Sequence, residues 1–127
     1  MSNKLTLKVL SDRYCVCRLD VDANIPDWTM KSEWFSITRT DDELSIVCKE
    51  VVVPEEIVVE RGWKILKVDG VLDFALVGIL SKLSQLMADN DISIFAISTY
   101  DTDYILVKED KLKRAIEVYK ENGYEVI

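Results

Sequence analysis

Residues 78–107 read GILSKLSQLMADNDISIFAISTYDTDYILV. This stretch predicts a helix, a tight turn, a strand, a short polar corner and a second strand. The corner, Ser98-Thr99-Tyr100-Asp101-Thr102-Asp103, sets hydroxyls, an aromatic ring and two carboxylates between apolar segments. Phe74, Leu76, Val77, Ile79, Leu80, Leu83, Leu86 and Met87 recur at the spacing of one helix face. Ser81, Lys82, Ser84 and Gln85 fill the opposite side. Asn90 tolerates the left-handed conformation and is expected to end this helix. Ile92, Ile94 and the run to Ile97 predict one strand, and Tyr104 to Val107 the next.

Working outward, Asp110 is expected to cap a second helix whose buried stripe is Leu112, Ala115, Ile116 and Tyr119. Lys120 suits its last turn, and Gly123 the position just past its end. Tyr124 to Ile127 predicts a closing strand. On the other side, Trp63 to Val68 predicts a strand and Asp69-Gly70 a turn. The order is β-α-β-β-α-β, so the fold class is α+β, ferredoxin-like. Both helices are expected on one face of a four-stranded antiparallel sheet. The strands are apolar on both sides. The second face therefore needs a cover, either the first half of the chain or a second subunit.

Residues 1–62 predict a smaller β-rich module, with the boundary to 63–127 near Gly62. Leu5, Leu7 and Val9 alternate with neighbours as one strand, and Tyr14 to Leu19 is expected as its hairpin partner. Pro26 fits the start of a short helical turn carrying Trp28. Trp34–Thr40 and Glu43–Lys49 predict a hairpin with an acidic tip, where Leu44, Ile46 and Cys48 share a face. Val51-Val52-Val53-Pro54 ends a strand-like run, since proline cannot continue a central strand.

Composition narrows the function. The 127 residues hold one domain of common size or two very small ones. A net charge of −7 disfavours a phosphate backbone as partner. No apolar run approaches the roughly 20 residues of a membrane span, and the polar start Met1-Ser2-Asn3-Lys4 is no secretion signal. A cytoplasmic location follows as an expectation. Histidine is absent, which removes the usual general base near neutral pH and any Ser-His-Asp triad within one chain. The same absence leaves Cys15, Cys17 and Cys48 short of partners for a zinc site, so they read as buried small hydrophobes. No cofactor or metal is expected, and no enzymatic activity. The Asp20-Val21-Asp22 pair lacks the glycine and late glutamate of a calcium loop.

Two segments remain as candidates for binding. Where the second module's first strand hands over to its helix, Val77, Gly78 and Ile79 offer backbone N–H groups to an anion such as an α-carboxylate. Gly78 has no side chain to obstruct a close approach; its alternative role is close helix–sheet packing. At the corner, Ser98 and Thr99 donate or accept hydrogen bonds, Asp101 and Asp103 can receive an ammonium, and Tyr100 offers a flat wall. The alternative there is a polar β-turn with Asp103 bonded to its own backbone.

Residues 63–127 resemble an ACT domain, the ferredoxin-like regulatory module that binds amino acids. The motifs that carry the resemblance are Gly78-Ile79-Leu80, Asp91-Ile92-Ser93-Ile94 and the run from Ile97 through Ser98-Thr99-Tyr100-Asp101-Thr102-Asp103 to Val107, followed by the acidic pair Glu109-Asp110. The branch is similar to the cytosolic arginine sensors and to small bacterial two-module ACT proteins. Residues 1–62 look like a partial ACT-like module of the same proteins. The resemblance implies ligand contacts from Gly78 and Ile79, from Thr99, Tyr100 and Asp103, and from Ser93 and Ile94 of a neighbouring module. It implies an allosteric regulator that binds an amino acid or similar small zwitterion between modules. With two modules where the arginine sensors carry four, it implies a homodimer.

Competing readings are weaker in chemistry. A ligand-free dimerisation module uses the fold only for sheet pairing. A ferredoxin-like acylphosphatase needs an arginine in the loop after the first strand, and Asp69 to Phe74 holds none. An RNA-binding sheet needs basic surroundings that this acidic chain lacks.

Overall fold

The computed structural model describes residues 5–70 and 77–127. Phe74 and Leu76 of the expected helix face, and Asp73 beside them, lie outside the described residues. Eight strands and two α-helices are described: β1 (Thr6–Val9), β2 (Tyr14–Leu19), β3 (Phe35–Arg39), β4 (Leu44–Lys49), β5 (Val59–Val68), α1 (Ile79–Asp89), β6 (Phe95–Ser98), β7 (Asp103–Lys108), α2 (Glu109–Glu121) and β8 (Glu125–Val126). The fold is α+β and ferredoxin-like. No described helix is long and apolar enough to cross a membrane.

The chain forms two compact units, residues 12–63 and residues 1–11 with 64–127. The division falls inside β5. The first strand differs from expectation. β1 pairs with β5 and β8, while β2 pairs with β4 and β5. The expected β1–β2 hairpin does not form. Leu7, fully buried, belongs to the larger unit's core, and that burial outweighs the short connection that favoured a hairpin.

In the larger unit the strands run in the order β8-β1-β5-β7-β6. β1 thus sits where the closing strand of a four-stranded βαββαβ sheet would lie, and β8 pairs outside it, parallel, over Thr6↔Glu125 and Leu7↔Val126. Leu66 and Val68 of β5 and Ile105 and Val107 of β7 face Leu83 and Met87 of α1 and Ala115, Val118 and Tyr119 of α2. Both helices therefore cover one face, as the 3-4 spacing predicts. Each fully buried leucine here contributes about 1.5–3 kcal/mol. On the opposite face Ile65 and Leu106 are also completely buried.

Helix ends differ from expectation in instructive detail. Asp91, not Asn90, takes the left-handed conformation after α1, at φ 58°. Ile92 N–H reaches back to Met87 O at 2.9 Å and Asp91 N–H to Ala88 O at 3.2 Å. That pairing satisfies the last carbonyls and places the left-handed residue one step later. α2 ends in the same way, with Gly123 at φ 91° as expected, Tyr124 N–H on Tyr119 O and Gly123 N–H on Lys120 O. Asp110 is no cap. Lys108 holds that position and Asp110 lies in the first turn, where its charge still favours the helix dipole.

In the smaller unit the order is β3-β4-β2-β5, all antiparallel. This is the strand order of a ferredoxin-like sheet. Short 3-10 turns, Asp27–Lys31 and Glu50–Val52, stand where helices would be. The strand-like run at Val51–Val53 is thus one of these turns rather than a strand. Leu44, Ile46 and Cys48 face Cys15 and Cys17 in a buried cluster. Arg61-Gly62, at the expected module boundary, is a bulge inside β5. The β2–β5 register shifts between Tyr14 and Val16, and Gly62 takes φ 78°. The Gly62 N–H is satisfied by the Glu50 carboxylate at 2.9 Å.

Candidate functional site

The polar corner is a four-residue hairpin loop, because Ser98 of β6 pairs with Asp103 of β7. Thr99 builds its interior. Its N–H donates to Thr102 O at 2.9 Å, its hydroxyl to the same oxygen at 3.1 Å, and Thr102 N–H returns to that hydroxyl at 3.3 Å. At the base of the loop, the Ser98 hydroxyl donates to Asp103 Oδ1 at 2.6 Å. Thr102, which the sequence reading did not single out, is buried, and its hydroxyl donates to Val68 O at 2.8 Å. Only the tertiary pairing of β7 with β5 reveals that contact, since 34 residues separate the two.

The corner's groups are therefore partly committed. In place of the alternative bond to its own backbone, Asp103 accepts from the Ser98 hydroxyl. An ionised carboxylate has about four acceptor positions, so Asp103 keeps capacity toward a cation. Asp101 is exposed, and Tyr100 is 81% exposed, a flat surface turned to solvent at the loop tip.

The helix start lies at the same end of the sheet. Thr102 holds the corner to the last residue of β5. The chain leaves β5 there and returns along α1, which is about 16 Å long, to begin β6 at the far end. The first turn of α1 therefore points back toward the end where the corner sits. Gly78 holds the N-cap at φ 80° and, as glycine, has no side chain with which to cap the first turn. Val77 is 89% exposed and lies outside the helix, contrary to the expected helix face; Ile79 is half-buried against the core.

Ser93 and Ile94 are not brought to the corner of their own unit. They precede β6, whose other end is the corner, and Ser93 lies about 16 Å along the strand from Ser98. Ser93 is exposed and Ile94 packs on the core. Among the described residues, no group of three or more Cys, Asp or Glu is arranged to hold a metal ion.

What this arrangement offers is a pair of opposite charges at one end of a sheet. A helix start can present N–H groups to a carboxylate, and a carboxylate such as Asp103 can present oxygens to an ammonium.

Residues 58–120 match the family model described as the ACT domain, and residues 12–56 match a model described as an N-terminal domain. No curated protein matches the chain. A crystal structure of a protein from Agobacterium tumefaciens is 34% identical, covering 99% of this chain and 94% of that one, with a TM-score of 0.92. A Vibrio cholerae protein described as of unknown function, possibly in transport, is 15% identical over 93% of this chain and 89% of its own, with a TM-score of 0.74. The ligand-free regulatory subunit of aspartate kinase from Thermus thermophilus is 10% identical over 95% and 99% of the two chains, with a TM-score of 0.68. The last two similarities show the fold alone.

Proposed function

Because this chain belongs to the ACT domain family, we propose that it is a non-catalytic regulatory protein that binds an amino acid, or a similar small zwitterion, and passes the signal on through association. The observation that supports this reading is the bond from Thr102 that holds the Asp103 corner to the end of β5, the strand that leads into the Gly78 helix start. The α-carboxylate would lie at Val77, Gly78 and Ile79. The ammonium would meet Asp103, with Thr99 and Tyr100 closing the site. The similarity to the aspartate kinase regulatory subunit supports the regulatory part of the reading.

A homodimer completes the site. Ser93 and Ile94 sit at the wrong end of their own β6 to reach the corner, so their contribution requires a second copy. A ligand shared by two copies binds the associated state better and shifts the equilibrium toward it. At one hundred times its dissociation constant it adds about 2.7 kcal/mol of stability. The proposed location is the cytoplasm, with neither nucleic acid nor membrane as partner.

The test is a thermal-shift screen of the full chain against the common amino acids, with light scattering on any that respond. The expected result is a concentration-dependent rise in Tm with one of them, a doubling of mass, and loss of the rise in Asp103→Ala with the apo fold largely intact. A second reading, a ligand-free association module, is favoured by the hydroxyls of Ser98, Thr99 and Thr102 being spent on partners within the chain. No response to any amino acid, with a stable dimer throughout, would establish that one instead.

A further inference from the structure

The smaller unit holds a group of thiols that the ligand site does not use. Cys15 and Cys17 share a face of β2, and Cys48 lies on β4 directly opposite Cys15. All three are reduced thiols, outside any disulfide and essentially without solvent exposure. Glu50 N–H donates to Arg13 O at 2.9 Å, two residues further along the same register. Hydrogen-bonded positions recur every second residue in an antiparallel ladder, so Cys15 and Cys48 face each other as such a pair, with Cα atoms about 5.5 Å apart. That lies inside the range of about 4.4–6.8 Å that a disulfide spans. The diagonal pair Cys17–Cys48 is set wider, at roughly 7–8 Å.

The surroundings set Cys15 apart from the other two thiols. The Arg61 guanidinium stands 3.8 Å from the Cys15 sulfur and is anchored on Pro54 O at 3.2 Å. The Cys17 thiol hydrogen-bonds to the Cys48 sulfur. The cover over the cluster is short: Val52 and Val53 at the 3-10 turn 50–52, and Trp28 at the turn 27–31. Such turns open locally at lower cost than a helix of several turns.

From this geometry we infer that Cys15 and Cys48 form a modification site, which a hydroperoxide oxidises to a cross-strand disulfide. The Cys48 thiolate attacks the peroxide O–O bond, giving a sulfenic acid and water, or an alcohol from an organic peroxide. The Cys15 thiol, beside the Arg61 guanidinium, then attacks the Cys48 sulfur and passes its proton to the hydroxyl, which leaves as water. Two thiols lose two electrons and two protons, and the peroxide is reduced. Cys17 is a positioning residue. Its hydrogen bond pushes the Cys48 pKa below the ordinary thiol value, while the same bond and burial push its own up.

The test is hydrogen peroxide added to the reduced full chain, followed by mass spectrometry without reductant. The expected product is lighter by two hydrogens, and fragmentation of its peptides assigns the link to Cys15 and Cys48. Cys17→Ala is expected to slow the step about tenfold, the effect of one charge-assisted hydrogen bond. Cys15→Ala is expected to halt at a Cys48 sulfenic acid that a cyclic 1,3-diketone traps. Either of two wild-type results overturns the inference without recourse to variants. One is three surviving thiols in the folded protein under conditions that oxidise the urea-unfolded chain. The other is a link that includes Cys17.

Discussion

The Thr102 hydroxyl donates to the backbone carbonyl of Val68 at 2.8 Å, and Thr102 is 4% exposed. One side chain thus ties the β6–β7 loop to the last residue of β5. The corner owes its position to this bond as much as to the β-ladder.

Replacing Thr102 by Val keeps the shape and removes the donor. The Val68 carbonyl then loses a partner in a buried setting, which costs about 1–3 kcal/mol. Urea denaturation is expected to show a lower midpoint with an unchanged m-value. If the corner also forms the ligand site, the variant's thermal response to a ligand shrinks as well.

Gly62 takes φ 78° at the β5 bulge, where an added Cβ would meet no atom within 4 Å. The cost of Gly62→Ala is therefore backbone strain alone, about 1–2 kcal/mol. The expected observation is a lower Tm, with the far-UV circular dichroism spectrum preserved. A wild-type melting curve from the variant would show that the bulge relaxes without cost.

Tyr119 donates its hydroxyl to Leu83 O at 2.9 Å and packs edge-on against Tyr124 at 5.6 Å between ring centres. Burial, with Tyr124 adding to it, pushes the Tyr119 phenol above its ordinary value near 10, and burial does the same for Tyr124. The fold holds both rings neutral. The unfolded chain therefore loses these protons first as the solution becomes alkaline. Their contribution to stability is complete below about pH 10 and declines as pH rises toward the folded-state values. Tyr119→Phe is expected to lose about 1 kcal/mol at neutral pH for the missing hydrogen bond. Above pH 10 its stability is expected to fall less steeply than the wild type's, as urea titrations at the two pH values would show.

Where local pattern and tertiary packing agree, the reading from sequence held. The α1 face of Leu83 and Met87 and the α2 face of Ala115 and Tyr119 are legible because 3-4 spacing and burial are the same fact seen twice. Gly123 is legible because a left-handed residue must follow a helix that stops there. The place of β1 is not. Its alternation of Leu5, Leu7 and Val9 states that one face is buried but carries no record of which strands lie beside it. The corner was visible as a composition of hydroxyls and acids, whereas its wiring was not. Ser98 and Asp103 meet because the ladder pairs them, and Thr102 turns inward because β5 ends beneath it.

By itself, then, the sequence determined the alternation of strands and helices, the faces those helices bury, the absence of imidazole chemistry, and the segments rich enough in polar groups to bind something. These depend on periodicity and residue type, which are local properties. The tertiary structure alone decided that β1 joins the larger unit, that the corner and the start of α1 share one end of a sheet, and that Cys15 faces Cys48 across a ladder. Each of these joins residues tens of positions apart, and such pairings are selected by the burial of whole faces, a quantity that no short stretch of chain encodes.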